Sequence, residues 1–342
     1  MAADGHNFIA YYAVLMTGIL FLPIPWPIKL FAWVCGLSCI QMQWMAANLS
    51  AWFVKLYASA NCDFQFILIF IVFLSLIILL KPSMNSWLNL LVVIALIEIM
   101  RISAQRLGWD PVFVPMGTCK TITVAAGSHG NIGWTGMALA MCGPAFFRKR
   151  LWIGLIPLAG ALYILKSSTP VVALAAAGML FALYRFSCRG RIWAISGILM
   201  AVLAYVIYDP VMIGGGLNTR LMNWNRAWAL CLGQSHSLIG YGLGSWIVLF
   251  PGGGFNFHRA HCEPIQVYFE LGMLGVLVLL LYGRYLIKRF LDGGRGRASL
   301  LASCGMVTVI MCSLGNFPFH LAGTAIIAVG WMGIFEVATR ND

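Results

Sequence analysis

The chain has 342 residues, of which 61% are hydrophobic and only 9% charged, and it carries a formal net charge of +12. A soluble domain is about one-quarter charged, so this composition excludes an ordinary soluble enzyme and points to a polytopic membrane protein. Basic residues gather at the ends of apolar runs (Arg148, Lys149 and Arg150; Arg185, Arg189 and Arg191; Arg284 to Arg297), which is the positive-inside pattern and argues against a nucleic-acid partner.

About eleven apolar runs are predicted to cross the membrane: 8–23, 28–47, 64–80, 86–101, 130–147, 151–166, 170–186, 192–209, 264–283, 299–315 and 320–338. Backbone groups in hydrocarbon must satisfy one another, so these are expected to be helices. The expected fold class is therefore all-α, a polytopic membrane helix bundle forming a single integral membrane domain over 1–342. The first run follows Asp4 without a basic leader and is expected to be a retained span. Pro144, Pro157 and Pro170 fall near span ends or kink a helix. The ten cysteines are scattered singly with no CxxC pair, which gives neither a disulfide framework nor a zinc site.

Placing the three basic clusters in the cytoplasm puts 101–129, 210–263 and the turn near Phe317 on the outside. Arg101, Arg106, Lys120, Arg220, Arg226 and Arg259 then lie outside and need a reason other than topology. The 210–263 segment is the one long loop. Loops of this length are functional or disordered, and its Trp, Gly and Leu content argues for order. Short interfacial helices are expected around 220–233, with Trp224, Trp228 and Trp246 at the membrane surface.

This loop carries the ionisable candidates. Arg220 and Arg226 in TRLMNWNRAW either bind an anion such as a lipid diphosphate or snorkel to headgroups. His261 in HRAHCEP is either a general base near neutral pH or a capping, interfacial histidine, and His258 shares both options. His258, His261, Cys262 and Glu263 are metal-ligand types, but HxxHCE matches neither HExxH nor a paired-cysteine spacing, so no metal or cofactor is expected. Glu270 in YFELGMLG must pair, with an outside arginine or by orienting a histidine. Glu98 and Arg101, on one helix face, read as a structural pair. GYGLGS at 240–245 matches a dinucleotide loop or an ion filter only superficially; close backbone packing or a tight turn explains its glycines better. GSHGNIGWTG at 127–136 either lines a groove or allows close helix contact.

Taken together, these segments resemble the O-antigen ligase and polymerase superfamily of bacterial membrane glycosyltransferases. GSHGNIGWTG resembles the family's Gly-x-x-x-Asn element. RLMNW resembles its Arg-x-x-x-Trp element, followed by LIGYGLG. HCEPIQVYFELGMLG resembles its histidine–glutamate element, and GNFPFHLAG the start of a closing span. The resemblance covers roughly 120–335, with two departures. Cys262 stands where the family has asparagine, and Thr169 of LKSSTPVV stands where it often has an arginine, with Lys166 the nearest positive charge.

The resemblance implies metal-independent transfer of a glycan from undecaprenyl diphosphate to a glycan or glycolipid acceptor, at the outer face of the bacterial inner membrane. It gives His261 the role of base and Arg220 and Arg226 that of diphosphate ligands, supported by Lys166, Glu270 and His258. Ligase, polymerase and protein-glycosylating branches differ in acceptor, which no motif here specifies. A transporter or channel gated by 210–263 is the rival from another class, and it predicts broken or charged helices near the bilayer midplane.

Overall fold

A computed structural model describes residues 12–48, 51–107, 127–128, 131–148, 151–208, 210–233, 236–249, 260–292 and 296–340. Among them there is no strand. A helical stretch at 12–20 precedes twelve α-helices. These are α1 (Trp26–Asn48), α2 (Ala51–Leu80), α3 (Met84–Arg106), α4 (Ile132–Cys142), α5 (Leu155–Leu165), α6 (Ser168–Arg185), α7 (Cys188–Tyr208), α8 (Pro210–Gly233), α9 (Ser245–Leu249), α10 (Glu263–Asp292), α11 (Arg297–Gly315) and α12 (Ala322–Ala338).

Among the described residues, five helical segments are long and apolar enough to cross a bilayer: Cys62–Leu80 within α2, and α3, α6, α10 and α11. Shorter apolar helical segments occupy Ile132–Phe147, Trp152–Leu165 and Ala322–Ala338. The chain is thus an all-α, multi-pass membrane protein. The 210–263 segment differs from expectation. It contains the 24-residue α8 and the five-residue α9 rather than short surface helices alone.

Local chemistry explains many helix boundaries. Ser83 caps α3 by accepting the Ser86 N–H, and Asn131 caps α4 by accepting the N–H groups of Gly133 and Trp134. Pro157 and Pro170 lie in the first turns of α5 and α6, where a missing N–H costs no intrahelical bond. Hydroxyls inside apolar helices bond to carbonyls one turn back, as in Ser75 to Ile71, Ser303 to Ser299 and Ser313 to Val309, which removes an unmet donor from hydrocarbon.

The chain divides into two compact units, Met1–Leu80 with Asn218–Asp292, and Lys81–Leu217 with Gly293–Asp342. In the first unit α1 packs against α2 and α10. Tyr12, Cys35, Cys39, Met42, Phe64, Leu243 and Leu271 form one buried cluster there. In the second unit α11 packs along α6 and α12. The fully buried Trp331 donates its indole N–H to the Met141 carbonyl at 2.7 Å and meets Trp87 edge-on.

Candidate functional site

The first unit holds a discontinuous helix. α10 has the phase and length of a single span, yet Gly272 takes φ 63° and ψ −157°, which breaks its hydrogen-bond ladder. Each break in a helix leaves carbonyls on one side and N–H groups on the other without partners. The 236–242 segment supplies four main-chain bonds in their place. Tyr241 and Gly242 donate to the carbonyls of Phe269 and Glu270, and the N–H groups of Met273 and Leu274 donate to the carbonyls of Ser237 and Leu238. In an apolar setting each of these groups would cost several kcal/mol unpaired.

The glycines of LIGYGLG now have a reason. A Cβ on Gly240 would collide with the Glu270–Gly272 backbone, and one on Gly272 with the Leu238–Gly240 backbone. Close backbone packing is what Gly240 serves, whereas a Cβ on Gly242, at φ 99°, would meet the Met42 side chain. The segment is fixed on its other side by the Ser38 hydroxyl, which accepts the Leu243 N–H at 2.9 Å. A stack of His236, Tyr241 and Phe269 lies alongside.

The start of α10 is built around the peptide that precedes His261. The Ala260 carbonyl accepts the Trp224 indole N–H at 2.7 Å, and the Ala260 N–H donates to Gln266 Oε1 at 3.3 Å. Gln266 Nε2 donates in turn to Glu270 Oε1 at 3.1 Å, and the Trp246 N–H reaches the same oxygen at 3.4 Å. Gln266 and Glu270 are both buried, at 2% and 3% exposure. His261 follows at φ 54°, a left-handed conformation that costs a residue with a Cβ about 1–3 kcal/mol, so the bonds that hold the turn must offset it. Glu270, expected to pair with an arginine or to orient a histidine, accepts from Gln266 and from the backbone of α9. It is linked to the histidine turn through Gln266.

Arg220 and Trp224 are one turn apart on α8 and share a face with Ala227 and Cys231. The last two pack with Ala260, Tyr268, Phe269 and Trp246 in a buried cluster. Arg220 is partly buried beside Cys262. Burial pulls its guanidinium below the ordinary arginine value, and the Cys262 sulfur acts in the opposite sense; arginine still remains a cation. Burial pushes the Cys262 thiol up, against the bond from the Ile265 backbone and the charge of Arg220. Arg220 and the His261 turn are therefore brought together. Arg226 lies six residues on, about 120° round the helix from Arg220, and is exposed. The two arginines do not share one face of α8.

His258 lies outside the described residues, as do Arg259, Lys120 and His129. Lys166 and Thr169 belong to the second unit. Lys166 is the left-handed cap of α5, with its side chain exposed. Thr169, in the first turn of α6, donates its hydroxyl to the Gly315 carbonyl at 3.4 Å. A Cβ on Gly315 would lie only 2.7 Å from that hydroxyl, so this contact needs glycine at 315. Glu98 accepts the Ser128 N–H at 3.0 Å, and Gln105 the Gly127 N–H at 2.8 Å. Asn131 of the GSHGNIGWTG element is the α4 cap. Among the described residues no three His, Cys, Asp or Glu side chains converge as metal ligands.

Sequence reasoning missed three contributors to the site. Gln266 and Trp224 each fell within a motif of the family resemblance but were given no role of their own, Trp224 being expected at the membrane surface. Gly272 was read as part of an unbroken span. Besides the motif itself, the signal that couples Gln266 to Glu270 is their spacing, since residues four apart share a helix face. The fold and site define the class as a multi-pass helical membrane protein, with a discontinuous helix among the described residues. Comparison with protein-family models and with curated proteins finds no match to this chain.

Proposed function

We propose that this chain is an O-antigen ligase-like glycosyltransferase of the bacterial inner membrane. It would move a glycan from undecaprenyl diphosphate to a sugar acceptor such as lipid A-core on the outer face, within a bundle of about eleven spans. The observation that supports this most is a single turn, Ala260–Glu263, which carries His261, is held at Ala260 by Trp224 and Gln266, and has Arg220 beside it. Arg220 and Trp224 of the Arg-x-x-x-Trp element thus lie against the turn that carries His261.

In this reading the acceptor hydroxyl attacks the anomeric carbon as His261 takes its proton. A new carbon–oxygen bond forms, the sugar–diphosphate bond breaks, and undecaprenyl diphosphate leaves with the electron pair, inverting the anomeric centre. Arg220 faces the developing negative charge with a fixed cation. Arg226 adds positive charge for the diphosphate, and His258 and Glu270 support the base. No cofactor takes part. Polymerisation of repeat units, or transfer to protein, uses the same donor chemistry with a different acceptor.

A transporter reading has one specific observation in its favour. The break at Gly272 is the kind of discontinuous helix from which transporters build binding sites. Two assays on purified protein separate the readings. With a lipid-linked glycan and candidate acceptors, transfer predicts release of undecaprenyl diphosphate that survives exhaustive chelation, and Arg220→Ala weakens donor use. In sealed proteoliposomes, transport predicts solute movement without donor cleavage. Movement without release would overturn the transferase.

A further inference from the structure

We infer that Gln266 and Trp224 are positioning residues that set the conformation of His261, and that Glu270 acts through Gln266. The inference rests on the proposed role of His261 as base. A buried side-chain amide has two chemically different ends, and what it meets fixes which way it points. The Glu270 carboxylate accepts hydrogen bonds, so it takes the Nε2 end of Gln266 and leaves Oε1 facing the Ala260 N–H. The Trp224 indole grips the other side of the same residue at its carbonyl. Ala260, 3% exposed, is thereby held at both of its main-chain polar groups. His261 is the next residue and sits at φ 54°, a conformation that an untethered turn would relax. The Trp246 N–H on Glu270 ties this relay to α9 and, through the 236–242 crossing, to the break in α10.

The arrangement makes an unusual prediction for Gln266→Glu. A protonated Glu at 266 donates to Glu270 and accepts from Ala260, as the amide does. When that proton is lost, two carboxylates one helical turn apart repel each other. Among the described residues, the charged and titratable groups around this pair include the Cys35 thiol on α1, which faces Glu270, and, at the turn that Gln266 holds, His261, Cys262, Glu263 and Arg220 of α8. Gln266→Glu is therefore expected to keep near-native turnover at acidic pH and lose it as pH rises, relative to the wild-type profile. Gln266→Met keeps the shape without the hydrogen bonds and should lower kcat at every pH by roughly ten- to a hundred-fold, the scale of a displaced catalytic group. Trp224→Phe removes only the indole donor and should lower kcat in the same direction. In both, donor KM stays near the wild-type value because Arg220 is untouched.

A second readout does not depend on turnover. Carbethoxylation of His261 by diethyl pyrocarbonate, followed site by site with peptide mass spectrometry, should change in rate in Gln266→Met and in Trp224→Phe, while the other histidines keep theirs. Wild-type protein that modifies normally but cleaves no donor would remove the base role and leave the positioning intact. Unchanged His261 reactivity in both variants, with a Gln266→Glu pH profile matching wild type, would overturn the positioning. If Gln266→Met does not fold, Trp224→Phe and Gln266→Glu carry the test.

Discussion

α10 and α11 are both long apolar helices with glycine inside them, and they use it in opposite ways. In α11, Gly305 leaves room for the Trp331 ring, which would collide with any Cβ there, and the helix runs on unbroken. In α10, Gly272 leaves its helical conformation, and the 236–242 backbone fills the gap with four hydrogen bonds. Glycine alone therefore does not break a helix in this chain. The break needs a partner segment that can satisfy the freed backbone groups, and LIGYGLG provides one. The polar relay from Glu270 to His261 lies on the N-terminal side of that break, while in α11 the hydroxyls of Ser303, Thr308 and Ser313 bond to carbonyls of the same helix.

The sharpest way to break this comparison is Gly272→Ala. It combines a left-handed φ with a collision against backbone, and it should cost about 3 kcal/mol or more, seen as a lower Tm in detergent with loss of activity. Gly305→Ala meets a side chain that can shift, although one that is fully buried, so about 1–3 kcal/mol is expected. An equal or smaller loss for Gly272→Ala would mean the break is not structurally fixed. Trp331→Phe leaves the Met141 carbonyl without its indole donor and should cost about 1–3 kcal/mol with donor cleavage unaffected per folded molecule. Asn131→Ala removes the α4 cap at about 1 kcal/mol. The smallest effect is on Cys262. Burial raises its thiol, so the reactive thiolate forms at higher pH than in an ordinary cysteine, and alkylation by iodoacetamide should climb later in a pH series than for a free thiol. Alkylation at the pH of an ordinary thiol would place Cys262 in water.

The helical fold was legible because apolar runs and their punctuation are local signals. Ser83, Asn131, Pro157 and Pro170 all sit where capping and first-turn chemistry put them. Short helices were expected around 220–233, yet α8 runs from Pro210 through Gly214, Gly215 and Gly216; propensity is a weak prior against tertiary context. The break at Gly272 was illegible for a different reason. The apolar pattern continues through ELGMLG, and the groups that make a break tolerable belong to a segment remote in sequence. Within the site, motif spacing was enough to single out His261 and Arg220. It did not reveal that Trp224 and Gln266 converge on Ala260, because neither bond has a sequence signature of its own.

The most direct test of the central claim is single-turnover release of undecaprenyl diphosphate by His261→Ala beside wild type, with both proteins checked for monodispersity. The account predicts release by wild type in the presence of acceptor and loss of at least about a hundred-fold in the variant, the scale of a missing general base. Normal release by a folded His261→Ala protein would contradict it.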